Sequence, residues 1–161
     1  MSATPFDHAR LRETMGYFAT GVAIVTGTDE GRPYGFTCQS FCSLSLEPPM
    51  VAIAPGKRSA SWPHVARSGC FCVNILAEDQ EVLSRDFAVS GGDKFVGVRW
   101  QPGPNGSPLL DGVLAWVDCS LAASFDAGDH EMVFGHVEAM GVSSGKRPLL
   151  FYRGGFGTFG K

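Results

Sequence analysis

The 161 residues carry 13 Lys and Arg against 16 Asp and Glu, a net charge of -3, and only 18% of the chain is charged. Such a chain has no basic face on which to hold nucleic acid or an anionic membrane, so small molecules and proteins are the expected partners. The length suits one domain over residues 1–161, no apolar run approaches the roughly 18 residues of a membrane span, and Met1–Asp7 lacks the parts of a signal peptide, which together predict a soluble, cytoplasmic protein.

In chain order, Thr4-Pro5-Phe6-Asp7 reads as a helix start, with Thr4 as N-cap, Pro5 at the first helical position and Asp7 in capping-box position. Leu11, Met15 and Phe18 follow at helical spacing and are expected to bury one face, the helix ending near Thr20-Gly21 with Gly21 left-handed. Val22–Thr26 is rich in β-branched residues and Asp29-Glu30-Gly31-Arg32 is a turn, so Gly21–Gln39 is predicted to be a hairpin. Its second strand ends in a polar run, Thr37–Ser40, where apolar residues belong. Hydroxyls and amides in such a place point to a ligand, the plain alternative being an edge strand.

Leu44-Ser45-Leu46 leads into Glu47-Pro48-Pro49, a rigid corner that cannot pair in a central strand, and Met50–Ala54 resumes as a buried strand. Pro55-Gly56-Lys57-Arg58-Ser59-Ala60-Ser61 then places two cations and two hydroxyls ahead of a short helical pattern, Trp62–Arg67. A helix N-terminus dressed this way receives an anion. The same residues also read as a solvated turn in which Ser59 or Ser61 is an ordinary N-cap, with Pro63 in the first turn.

Phe71-Cys72-Val73-Asn74-Ile75-Leu76 is a nearly continuous apolar strand, and a buried Asn74 needs partners from backbone or ligand. Glu78–Phe87 reads as a helix, with Leu83 and Phe87 four apart, closed by Val89-Ser90-Gly91-Gly92. Gly103–Ser107 is a loop. Leu114–Ala123, with Ala115, Val117, Cys119 and Leu121 on one face, and Val133–Val142 form two antiparallel strands around a turn at Asp126–Asp129. Leu149–Tyr152 is a last short strand before a Gly154-Gly155-Phe156-Gly157 tail, after which too few residues follow to open the phosphate-binding helix of a Rossmann domain.

Cys38, Cys42, Cys70, Cys72 and Cys119 are odd in number and contain no Cys-x-x-Cys, and the four histidines are scattered, so reduced thiols and no metal site are expected. No Gly-x-Ser-x-Gly elbow exists to make a serine hydrolase. Six or seven strands with two or three helices, not alternating regularly, predict a mostly antiparallel barrel. Trp116 and Phe134 fall on strand faces opposite the core sets, which predicts a homodimer.

Several segments in order, Phe18-Ala19-Thr20-Gly21-Val22, Gly35-Phe36-Thr37-Cys38-Gln39-Ser40-Phe41, Ser43-Leu44-Ser45-Leu46-Glu47-Pro48-Pro49, Phe71–Leu76, Asp93-Lys94-Phe95 and Gly128-Asp129-His130, resemble the short-chain flavin reductases that serve two-component flavin monooxygenases. The nearest likeness is to reductase subunits of phenolic, steroid and polyketide hydroxylases. The resemblance implies a homodimeric antiparallel split β-barrel, Greek-key in topology, that binds FMN or FAD and oxidises NADH or NADPH. By position, Phe36, Thr37, Cys38, Gln39 and Ser40 would form the wall beside the isoalloxazine, with Ala54, Pro55 and Gly56 nearby. Ser59 and Ser61, with Lys57 or Lys94, would take the phosphate. Asn74, Phe87 and Phe95 would flank the flavin, and His130, as the catalytic candidate, would serve the nicotinamide side with Tyr152, Arg153 and Gly154. Cys38 and Gln39 depart from the Ala and Asn of many members. The alternatives are a flavin carrier without turnover and a pyridoxine-phosphate-oxidase-like split barrel.

Overall fold

Glycine-bearing turns between short β-branched runs give twelve strands and three helices in the computed structural model, which describes residues 6–143 and 145–160. The elements are α1 (His8–Gly16), β1 (Thr20–Gly21), β2 (Ala23–Asp29), β3 (Arg32–Cys38), β4 (Cys42–Leu46), β5 (Pro49–Ile53), α2 (Trp62–Ser68), β6 (Cys70–Ile75), α3 (Glu81–Ala88), β7 (Trp100–Pro102), β8 (Pro108–Leu110), β9 (Ala115–Ala127), β10 (His130–Val142), β11 (Leu149–Tyr152) and β12 (Gly155–Thr158). Seven strands make one antiparallel sheet in the order β3-β2-β6-β9-β10-β5-β4. The expected hairpin is present as β2–β3, turned by Glu30 and Gly31, both at positive φ, the conformation that matches the twist of paired strands.

The sheet is covered on both faces, which is why its central strands read as continuous apolar runs rather than alternating ones. Along β2 the side chains alternate between two cores: Ala23 and Val25 join Phe36, Ile53, Phe71, Val73 and Val133, whereas Val22 and Ile24 join Leu76, Phe87, Phe95 and Leu110. Gly135 on β10 is required by the first core, because a Cβ there would stand 2.6 Å from Phe71 Cζ. None of the five cysteines is in a disulfide.

The structure departs from the sequence reading at four places. The expected helix start at Thr4 and Pro5 lies outside the described residues; Asp7 is the cap, accepting from the Arg10 N–H, and α1 ends at Gly16. Leu11, Met15 and Phe18 do not bury a face; they are 45, 59 and 73% exposed. The glycine tail is a strand, because Arg153 and Gly154 turn the chain back so that β12 pairs with β11. Asn74 is fully buried and fully occupied: its Nδ2 donates toward Ile24 O, Thr26 Oγ1 and Pro108 O, and its Oδ1 accepts from the Leu110 N–H at 2.9 Å. It pins β8 across the face of β2 and β6, so its amide is engaged by the protein where the sequence reading placed it beside the flavin. No helix among the described residues is long and apolar enough to cross a membrane.

Asn74→Leu strands the buried Leu110 N–H, while Pro108 O keeps the Thr26 hydroxyl as a donor, and the loss costs about 1–3 kcal/mol. The expected result is a lowered melting temperature with flavin affinity of the folded protein unchanged. Weakened flavin binding at unchanged stability would return Asn74 to the ligand.

Candidate active site

The first and sixth strands of the sheet, β3 and β5, share no ladder, yet their C-terminal ends meet because the sheet rolls up. Ser40 ties them: its Oγ donates to Ala54 O at 3.1 Å and accepts from the Ala54 N–H at 3.0 Å. The open seam beside this tie is a cleft of about 370 Å³, walled by Phe36, Thr37, Cys38, Gln39 and Ser40 on one side and by Ala54, Gly56 and His130 on the other, with Ala88 from α3 at its end. Seven residues expected at the flavin, and His130, expected on the nicotinamide side, thus come together around one hollow.

Each wall is fixed by its own bonds. Thr37 Oγ1 donates to Ser84 O at 2.6 Å, fastening β3 to α3. Cys38 Sγ lies 3.4 Å from Ser40 Oγ, and burial pushes its thiol pKa up, so it stays a neutral piece of wall. On the far side, the Lys57 N–H donates to Asp129 O and the Glu131 N–H to Pro55 O, a short ladder that joins the 55–57 loop to the β9–β10 turn. Pro55 is buried behind this ladder rather than on the cleft. The His130 ring, held by a 2.7 Å contact between Nδ1 and Asp129 Oδ1, lies over Gly56, where an added Cβ would sit 3.7 Å from Nε2. That hydrogen bond, with the imidazole's charge, holds the Asp129 carboxyl below the usual carboxylate range.

A smaller hollow of about 180 Å³ continues from Phe36 and Thr37 between Arg58, Ser59 and Ala60 on one side and Ala88, Val89, Ser90 and Lys94 on the other. Lys94 Nζ donates to the carbonyls of Gly35 at 3.2 Å and Phe87 at 3.0 Å, and among the described residues no carboxylate stands within ion-pair distance of it. Burial lowers its pKa, the signature of a cation without a counter-charge. Ser61 stands at the N-cap position of α2 without a side-chain bond, and it is Ser59 Oγ that accepts from the Trp62 N–H, its own proton remaining to be donated into the hollow. Lys57 is turned away, ion-paired with Asp126, so Lys94 and Arg58 are the cations that line this hollow, and Lys94 is the half-buried one. Ser61 is buried beside a separate hollow with Lys94 and Phe95. Phe87 and Phe95 pack edge to face at 5.1 Å and both belong to the core; Phe87 lines the smaller hollow from beneath and Phe95 lines the separate one.

On the other side of Gln39 and Ser40, a groove of about 780 Å³ runs between α1 and the β11–β12 turn, lined also by Arg12, Phe18, Arg153 and Gly154. Arg153 and Gly154 therefore adjoin the cleft through Gln39 and Ser40, whereas Tyr152 stays off the groove with its ring edge against Tyr17. Arg12 and Ala88 carry no sequence signal for this placement, because α1 reads as a helix facing inward and Ala88 falls between the expected helix and its closing loop.

The family model described as flavin reductase like domain matches residues 15–160. The chain belongs to this family. It is 49% identical over 154 residues to the reductase subunit HsaB of a flavin-dependent monooxygenase from Rhodococcus jostii, covering 96% of this chain and 79% of that one. Among solved structures, nitrilotriacetate monooxygenase component B from Mycobacterium thermoresistibile superposes with a TM-score of 0.92 at 46% identity, covering 96% of this chain and 87% of that one. The NADH:FAD oxidoreductase SgcE6 of Streptomyces globisporus, in complex with NAD and FAD fragments, gives a TM-score of 0.91 at 34% identity, covering 99% and 97%. These split-barrel neighbours agree with the mostly antiparallel barrel read from the sequence.

In this flavin reductase domain the residues fit a flavin phosphate on one observation above the rest: Lys94 is a half-buried cation whose neighbours are all carbonyls. A lysine whose pKa falls on folding destabilises the folded state, in full at neutral and acidic pH, and the cost fades as pH rises through the folded pKa toward 10.5. Lys94→Met is therefore expected to leave the flavin-free protein as stable or more so, yet to weaken FMN binding about tenfold or more, since a hydrogen bond to a charged group is worth about 1.5–3 kcal/mol. In the unsubstituted protein FMN affinity should begin to fall, as pH rises, before a free lysine would titrate. Unchanged FMN affinity on titration of the variant would move the phosphate elsewhere.

Proposed function

We propose that this flavin reductase domain is an NAD(P)H:flavin oxidoreductase that reduces FMN or FAD and supplies the reduced flavin to a partner monooxygenase acting on an aromatic, steroid or polyketide substrate. The observation that carries it is the continuity of the site: one seam joins a polar strand end, an uncompensated lysine and a histidine-bearing turn without any nucleophile-base pair. When both are bound, the nicotinamide supplies a hydride that the flavin ring accepts, and the protein's part is orientation and electrostatics.

This chain's residues divide that part among them. Thr37–Ser40 form a wall held rigid by the Ser40 and Thr37 bonds, and Lys94 with Ser59 anchors the phosphate. His130, with its ring fixed through Asp129 and resting on Gly56, closes the opposite side and orients the nicotinamide. The neutral Cys38 adds apolar surface without reacting. A homodimer fits the exposed Met140 and Val142 on β10, 74 and 87% accessible in one chain, which a second copy would cover.

Mixing the protein with NADH and either FMN or FAD tests the proposal: loss of nicotinamide absorbance is expected, with hydrogen peroxide formed when no monooxygenase is present. A protein that turns yellow with FMN but never consumes NADH or NADPH would be a carrier instead. His130→Ala is expected to raise the KM for NADH several-fold more than that for flavin. Equal rises in both would make His130 structural.

A further inference from the structure

Glu131 follows His130 at the start of β10, and its side chain is half-buried. One of its oxygens, Oε2, accepts two bonds, from Trp62 Nε1 at 3.1 Å and from Ser124 Oγ at 2.9 Å. Both donors are neutral, and among the described residues no Lys, Arg or His stands within ion-pair distance of this carboxylate. It serves as a charged acceptor and not as half of an ion pair. Trp62 is 4% exposed, and a buried indole N–H needs a partner. As the first residue of α2, Trp62 also donates its backbone N–H to Ser59 Oγ at 3.1 Å, and its ring stands edge to face with Phe36 at 6.1 Å. Ser59 and Phe36 both line the 180 Å³ hollow, and Phe36 lines the cleft as well. Contacts thus run from the His130 turn, through the Glu131 carboxylate and the indole, to the hydroxyl at the phosphate end.

We propose that Glu131 is a positioning residue for the flavin phosphate, acting through Trp62 to fix Ser59 Oγ and the Phe36 ring. This rests on the reductase reading above, in which Lys94 and Ser59 take the phosphate. The loop between β5 and α2 is held at two ends. The main chain holds the near end, the Glu131 N–H donating to Pro55 O at 3.0 Å and the Ser59 N–H to Gly56 O at 2.9 Å. The indole bond holds the far end, where Trp62 opens α2. Replacing the Glu131 side chain removes the second hold and leaves the first, so its effect falls on Ser59 and Phe36 while the His130 turn keeps its backbone ladder. A buried indole N–H left without its acceptor turns to find another, and Ser59 Oγ and the Phe36 ring, both in contact with Trp62, move with it.

The test titrates each protein with FMN and with riboflavin, which carries the same ring and no phosphate. Glu131→Ala is expected to weaken FMN binding about tenfold and riboflavin binding less than about twofold. Trp62→Phe, which keeps an aromatic ring and loses the indole N–H, is expected to give the same FMN-selective loss, and the double variant a loss no larger than either single one. Glu131→Gln, whose amide oxygen accepts in place of the carboxylate, is expected to restore most of the affinity. If Glu131→Ala does not fold, Trp62→Phe and Glu131→Gln read the same contrast between the two ligands. Equal losses with FMN and riboflavin would make Glu131 a support of the ring wall, and no loss would leave it a plain surface acceptor; either result overturns the proposal. Additive losses in the double variant would overturn it too, by removing Trp62 from the route. If Ser59→Ala and Lys94→Met bind FMN as the unsubstituted protein does, it is the phosphate placement that fails, and the role of Glu131 falls with it.

Discussion

The site depends on a closure that the backbone ladder does not make. In a seven-stranded sheet rolled toward a barrel, the strands at the seam need something to hold them, and here a single hydroxyl does so, accepting from the Ala54 N–H and donating to the Ala54 carbonyl. A full ladder at this seam would have satisfied the backbone and left no room for a ligand. A seam held at this tie leaves the outer edge of β3, whose inner edge pairs with β2, without a second ladder and beside a cleft. The polar run Thr37–Ser40 goes with the split, because it lies along that open edge and not inside a two-sided ladder.

The cations around this seam are deployed unequally. Lys57, near in sequence to Ser59, is neutralised by Asp126 at the hairpin tip, while Lys94, remote in sequence, is drawn between the Gly35 and Phe87 carbonyls with no carboxylate among the described residues in ion-pair distance. The folded chain accepts a partly desolvated ammonium, whose lowered pKa is a cost in stability at neutral pH. Such a cost is retained where a ligand offsets it. His130 is arranged on the same plan, since its Nδ1 is committed to Asp129 and Nε2 is left on the Gly56 side of the cleft.

Most of the barrel was legible because its signals are local. The Glu30-Gly31 turn and the doubly buried strand at Phe71–Ile75 are each written in a few consecutive residues, and the β9–β10 hairpin in one continuous run from Ala115 to Val142. The cleft wall was legible for the same reason, as one contiguous polar segment. What failed to show was long-range. Asn74 reads as a polar residue in an apolar strand, and nothing nearby in sequence says that Pro108 and Leu110 will cross its face and consume its amide. The apolar stripe of α1 reads as a core face, but the sheet is already covered by α2 and α3, so Leu11, Met15 and Phe18 remain outside. The choice between Lys57 and Lys94 turned on the position of Asp126, 69 residues from Lys57 along the chain.

The central claim is that one seam orients the flavin, with its phosphate at the Lys94 end and its ring against Thr37–Ser40. A crystal structure of the protein saturated with FMN tests it most directly. The account predicts phosphate oxygens within hydrogen-bond distance of Lys94 Nζ and Ser59 Oγ, and the ring between the β3 wall and His130. A phosphate lying instead against Arg12 and Arg153, with the Lys94 hollow left to water, would contradict it.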